Sequence, residues 1–317
     1  MTRMIPVSFL NREGLKLFGI LHEPTENKHP DKAVIILSPG IKSRVAPHRL
    51  YIKMSRKLAE IGFFVLRYDF YGLGDSEGEI KENFTANLYG SIQIGKFIHD
   101  TISAMNWLED KFKIRKFILA GLCGGAITGL HSGQSDSRVI GLFGLGMPVI
   151  LDSTNIDKYK YVSKGQLNRI RLNYIYKIFS LNSWLRFFSF RTNYQLLFKS
   201  FFKTINIKNK IFSFKVKDSE NKTIKKIDGN FNPFFSEIFR RFASSRRVCL
   251  VFSGADRLYW EFQEKYLKVF NNEFEKFNKN VNIKTIEGAN HIFSFKIWQD
   301  EMLTILNDWI LDFNKEL

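Results

Sequence analysis

From residue 32 to residue 145 the chain alternates short apolar runs with segments whose apolar residues recur every three or four positions. Lys32-Ala33-Val34-Ile35-Ile36-Leu37 is apolar from its second residue on, which predicts a strand covered on both faces. The loop SPGIKSRVAPH follows, and helical spacing from Leu50 to Ile61 then predicts a helix stopped by Gly62. Phe63-Phe64-Val65-Leu66-Arg67-Tyr68 reads as the next strand, DFYGLGDSEG as a loop, and residues around 88–109 as one long helix. Further strands are expected at 115–120, 139–145, 248–252 and 281–286, with a last helix over 294–315. The N-terminus reads as two strands around an Asn11-Arg12-Glu13-Gly14 turn. Eight strands, most of them continuous apolar runs separated by helices, predict an α/β fold with a mostly parallel eight-stranded sheet and helices on both faces.

The rhythm breaks between residues 151 and 246. This block holds 20 Lys and Arg against 6 Asp and Glu, most of the chain's net charge of +17. It is also rich in aromatics, from Tyr174 and Trp184 to Phe202. It is read as a helical cap inserted between a first core segment, 1–150, and a second, 247–317, with residues 206–230 an exposed connection. The aromatics suit either the cap's own core or an acyl-binding cleft. The charge favours anionic partners: an anionic or lipid-like small-molecule substrate, or peripheral contact with an anionic membrane surface. Charge alone does not make a nucleic-acid binder, and neither zinc-ligand spacing, an RNA-binding aromatic signature nor a helix-turn-helix core accompanies it. No nucleic-acid partner is therefore expected.

Other classes are narrowed by what is missing from the 317 residues. No run of 18 apolar residues suggests a transmembrane helix, and the N-terminus has no signal-peptide pattern. Two cysteines make no disulfide framework, so a cytoplasmic location is expected. GLGDSEG lacks the Lys-[Ser/Thr] ending of a phosphate-binding loop, and no metal-ligand spacing emerges. Neither a metal nor an organic cofactor is expected.

The candidate chemistry lies in Arg115-Lys116-Phe117-Ile118-Leu119-Ala120-Gly121-Leu122-Cys123-Gly124-Gly125. A strand, a G-x-C-x-G turn and a helix make the tight corner on which a nucleophile is raised above the carboxyl end of a sheet. Residues two before and two after the nucleophile must be small, which Gly121 and Gly125 satisfy. The N–H of Gly124 would face an oxyanion at the helix N-terminus. A second donor belongs in the loop after residues 33–37, where the N–H of Ile41 is the candidate. The order nucleophile, acid, histidine then selects Asp256 in Ser253-Gly254-Ala255-Asp256 and His291 in Glu287-Gly288-Ala289-Asn290-His291. Of six histidines, His291 alone lies well downstream of the turn. Cys249, inside an apolar run, reads as an inert core residue.

With these residues in place the chain resembles the serine-aminopeptidase-like α/β-hydrolases, whose loop after the fourth strand is similar to Tyr68-Asp69-Phe70-Tyr71-Gly72-Leu73-Gly74-Asp75-Ser76-Glu77-Gly78. More narrowly it resembles hydrolases associated with the exosortase A system. That likeness rests on Arg44-Val45-Ala46-Pro47-His48-Arg49-Leu50, the Gly-Leu-Cys corner, Asp256 in its loop, and Ala289-Asn290-His291-Ile292-Phe293-Ser294 with Trp298. It departs at Gly124, where that group often has an acidic residue. Gly-Leu-Cys-Gly-Gly is also similar to the G-x-C-x-G-G box of dienelactone hydrolases and polyhydroxyalkanoate synthases. The resemblance implies a Cys-His-Asp hydrolase of esters or thioesters. An acyltransferase with the same residues, or a non-catalytic binding protein on a hydrolase fold, are the alternatives.

Overall fold

The structure is a computed structural model and describes residues 2–151 and 230–315. Strands β1 (Met4–Leu10) and β2 (Lys16–His22) form an antiparallel hairpin. Its turn is held by the Asn11 side-chain oxygen, which accepts the N–H groups of Glu13 and Leu15. The other strands are β3 (Lys32–Leu37), β4 (Phe64–Tyr68), β5 (Lys116–Leu122), β6 (Val139–Leu145), β7 (Arg247–Ser253) and β8 (Val281–Ile286). One eight-stranded sheet results, in the order β1-β2-β4-β3-β5-β6-β7-β8. β2 pairs antiparallel with β4, and every pairing from β4 to β8 is parallel. The central strand β3 is buried almost throughout, whereas edge strand β8 alternates buried and open positions. The first pattern needs cover on both faces and the second on one.

The helices in chain order are α1 (Leu50–Ile61), α2 (Thr85–Gln93), α3 (Ile98–Phe112), α4 (Gly124–Ser135), α5 (Phe235–Ala243), α6 (Arg257–Glu261), α7 (Asn271–Phe274) and α8 (Lys296–Lys315). Met54 and Leu58 of α1 and Leu306 and Ile310 of α8 pack on Val34, Ile36, Val65, Ile118 and Val251 of the sheet. Gly129 of α4 lies against Leu37, Leu119 and Leu142, residues of the alternate parity and so of the opposite face.

Two expectations change. The helix read over 88–109 is two helices, α2 and α3, separated at Gly95. That residue has φ +104°, and the side chain of Ile98 occupies the place a methyl group there would need. An ion pair of 2.9 Å between Lys96 and Glu82 closes over the break. The second change concerns the insertion expected at 151–246, of which residues 152–229 lie outside the described residues. Helix α5, near its C-terminal end, packs on α4 as part of the core, with Phe242 filling the space beside Gly133. The core thus resumes at Phe231, well before residue 247. Ile150 and Phe231 pair in an antiparallel bridge. Among the described residues no helix is long and apolar enough to cross a membrane.

Candidate active site

Strand β5 runs two residues further than expected, to Leu122, and α4 starts at Gly124. Cys123 alone makes the corner, with φ 53° and ψ −110°. A non-glycine residue holds such a conformation only where its surroundings impose it. Here the Cys123 N–H bonds the Leu145 carbonyl at 2.8 Å and its carbonyl accepts the Ile127 N–H at 3.1 Å. The glycines around it are sites of close backbone approach. A methyl group would come within 2.4 Å of the Gly125 carbonyl carbon if added at Gly121, and within 2.3 Å of the Leu37 carbonyl oxygen if added at Gly125.

The other candidate side chains arrive from the ends of β7 and β8. Asp256 follows β7 and stands at the N-terminus of α6. His291 lies between β8 and α8. Their loops are stitched together by the backbone: Gly254 N–H donates to the Ile286 carbonyl at 2.9 Å, and Ala255 N–H to the Ala289 carbonyl at 3.0 Å. The imidazole and carboxylate meet at 2.6 Å, His291 Nδ1 to Asp256 Oδ2, with the carboxylate mostly buried. Cys123 lies close enough for its sulfur to act on the His291 charge as well. With Nδ1 engaged by Asp256, Nε2 is the nitrogen left for the sulfur. Burial disfavours the imidazolium. The bond to Asp256 and the nearby Cys123 sulfur outweigh burial and raise the His291 pKa from 6.5 to about 10.

The expected oxyanion donors lie on neighbouring segments. Gly124 is the first residue of α4, where a helix leaves its N–H groups unpaired. A methyl group there would stand 2.6 Å from Gly40 Cα, so the loop carrying Ile41 lies directly on the corner. The Ile41 N–H donates to no backbone carbonyl among the described residues. Cys249 is the contrasting thiol: it lies wholly inside β7, and burial pushes its pKa up to about 12.

Three sets of supporting contacts went unread in the sequence. The Tyr51 hydroxyl accepts the Leu122 N–H at 2.6 Å. Arg44 donates its backbone N–H to Asp69 Oδ1 at 2.6 Å and forks its guanidinium onto Asp69 and Asp75. Gln299 Nε2 donates to the Phe293 carbonyl at 2.7 Å, which pins the turn after His291 where Phe293 has φ 50°. Arg44 and Tyr51 bracket a segment already singled out by resemblance, but Tyr51 sits at a helical-spacing position and reads as core.

No family model matches the chain, and no curated protein matches it in sequence. Solved structures do. The esterase Pf2001 of Pyrococcus furiosus is 18% identical with a TM-score of 0.58, over 98% of this chain and 93% of its own. A putative α/β hydrolase of Agrobacterium tumefaciens, ATU1826, is 16% identical with a TM-score of 0.55, over 99% and 98%. The α/β hydrolase GrgF of Penicillium sp. sh18 is 17% identical with a TM-score of 0.56, again over 99% and 98%. Sheet order and these likenesses together define an α/β-hydrolase fold.

Proposed function

We propose that the protein is a hydrolase of carboxylic esters or thioesters that works through an acyl-enzyme intermediate on Cys123. The observation that carries this reading is the 2.6 Å contact of His291 with Asp256 beside the Cys123 corner, all three residues following the carboxyl ends of parallel strands. Each residue has a role its geometry suits. His291 holds the thiol proton in a thiolate–imidazolium pair, and Asp256 orients the ring and stabilises its cation. The sulfur attacks the acyl carbonyl, and the N–H groups of Gly124 and Ile41 receive the oxyanion, a contribution of about 3–4 kcal/mol. The imidazolium protonates the leaving group, and His291 then activates water to release the acid. The same steps with another acceptor would make an acyltransferase.

Thiolate is a strong nucleophile and a good leaving group, which suits thioesters and activated esters better than amides. The narrower resemblance to exosortase A-associated hydrolases and to the G-x-C-x-G-G box supports cysteine in this role. The basic, aromatic-rich stretch 151–246 supports an acyl substrate carrying negative charge. A panel of short- and long-chain p-nitrophenyl esters beside acyl thioesters, run on wild type and Cys123→Ala, tests the reading. Turnover by wild type and none by the variant is expected. Activity that survives in Cys123→Ala rules the nucleophile out.

A further inference from the structure

We propose that residues 44–51 are a brace that holds the Cys123 corner against the loop of Gly40 and Ile41, with Tyr51 the positioning residue at its working end. The inference rests on the hydrolase reading, in which these two segments carry the nucleophile and the oxyanion donors.

The need for a brace follows from how the sheet opens. The Cys123 N–H bonds Leu145 on the β6 side, so the preceding Leu122 N–H faces the β3 side. β3 has already ended, because its last residue, Leu37, is paired with Gly121. Leu122 would therefore present a buried donor with no strand to receive it, immediately before the nucleophile. The hydroxyl of Tyr51, a side chain with no exposed surface, supplies the missing acceptor at 2.6 Å. A buried hydroxyl here stands in for a strand that had to turn away to form the oxyanion loop.

The far end of the segment is held as firmly. Arg44 bonds Asp69, which has no exposed side-chain surface, through both backbone and guanidinium, and reaches Asp75 at 2.6 Å. Its carbonyl accepts Arg67 Nη1 at 3.4 Å. Between the anchors, Ala46, His48 and Arg49 have φ of 58°, 55° and 57°. These are three left-handed non-glycine residues within four positions, a conformation kept only when both ends over-determine it. Ile41 lies three residues before Arg44. One strained, doubly anchored segment thus fixes the oxyanion loop at one end and the base of the nucleophile corner at the other. A charge on the Cys123 sulfur is felt by the Tyr51 phenol, in keeping with their closeness.

The test is Tyr51→Phe in the full chain, with Tyr68→Phe as control. Tyr68 is equally buried, and its hydroxyl bonds Thr101 Oγ1 at 3.2 Å, away from the corner. The measurements are kcat and KM on the ester wild type turns over best, and the rate of Cys123 alkylation by iodoacetamide across pH. Tyr51→Phe should fold, lose about 10²-fold in kcat at little-changed KM, and alkylate several-fold more slowly near neutral pH. Tyr68→Phe should lose thermal stability and keep both rates. Wild-type kcat and alkylation in Tyr51→Phe, whatever its melting temperature, would overturn the proposal. If Tyr51→Phe does not fold, Arg44→Lys decides: it keeps the charge but gives up the fork, and unchanged kcat there overturns the brace. If wild type turns over no ester, the hydrolase reading fails by itself, and the alkylation comparison still decides the brace.

Discussion

His291 and Asp256 meet at 2.6 Å although 35 residues separate them, because their two loops are cross-bonded through Gly254–Ile286 and Ala255–Ala289. The pairing has a consequence for pH. His291 holds its proton to about pH 10, against 6.5 for the free side chain, so the imidazolium persists through the neutral range. Removing the carboxylate in Asp256→Asn takes away the strongest of the interactions that raise this value and leaves burial working against the charge. The alkaline limb of kcat/KM, expected near pH 10 in wild type, should move down by at least a unit in the variant, with kcat lower by roughly 10³–10⁴-fold. A limb that stays in place would mean another group sets it.

The raised His291 value also bears on stability. A histidine whose folded pKa exceeds its unfolded one stabilises the fold below the unfolded value, and that contribution fades as pH rises through the folded one. Between pH 6.5 and 10, wild type should therefore lose thermal stability relative to His291→Gln as pH increases. Melting temperatures at pH 6, 8 and 10 for the pair would show parallel curves if His291 were not coupled to Asp256.

Much of this arrangement was legible in the chain. The strands and α1 follow from apolar runs and helical spacing, and the order Cys123, Asp256, His291 from the ends of strands. What escaped were features that depend on a third dimension. Tyr51 occupies a helical-spacing core position, and nothing local says that its hydroxyl will face an orphaned N–H 71 residues away. Gly95 can be carried inside a helix, and only its φ of +104° makes it a break. The end of the insertion is hidden in the composition, because Phe235, Phe239 and Phe242 continue the aromatic character of the block before them while their side chains are buried in the core. Composition changed at one point and packing at another.

The two cysteines should separate cleanly in their reactivity. Cys249 is buried in β7 with its pKa pushed up to about 12, whereas Cys123 is partly open and lies beside an imidazole that holds a proton. Iodoacetamide at pH 7 should label Cys123 and leave Cys249 untouched until the protein is unfolded. His291→Ala should slow the labelling of Cys123 alone. Peptide mapping by mass spectrometry reads both, and equal labelling of the two thiols in the folded protein would contradict the assignment.

Glycines at the corner should be far less replaceable than glycines in open turns. In Gly125→Ala the new methyl would meet the Leu37 carbonyl at 2.3 Å and the Ser38 carbonyl at 2.9 Å, both backbone atoms that cannot swing aside. The end of β3 would have to move, carrying Gly40 and Ile41 with it. The variant should lose at least about 1–3 kcal/mol of stability and most of its activity. Gly288→Ala, where φ is +70° but nothing lies within 4 Å, should cost only the backbone term of about 1–2 kcal/mol. Denaturant melts of the two variants, with activity measured on the folded protein, check the ranking.

A buried carboxylate away from the site gives the fold a second dependence on pH. Asp100 of α3 is 2% exposed and accepts the Tyr71 N–H at 2.8 Å and the Asn11 amide at 3.0 Å, tying helix, hairpin turn and the loop after β4 together. Burial outweighs these two bonds and raises its pKa from 3.8 to about 6. The sign is therefore opposite to that of a salt-bridged aspartate. The folded state holds this proton more tightly than the unfolded chain, so the contribution is present below about pH 4 and is lost as pH rises through 6. Two pKa units correspond to about 2–3 kcal/mol across that interval. Asp100→Asn cannot serve both donors equally and should be less stable than wild type at acid pH. It carries no charge to bury, so the gap should narrow as pH rises from 4 to 7. Melting curves for both proteins at pH 4.5, 6 and 7.5 decide it, and a gap that widens with pH would mean that Asp100 is held ionised rather than protonated.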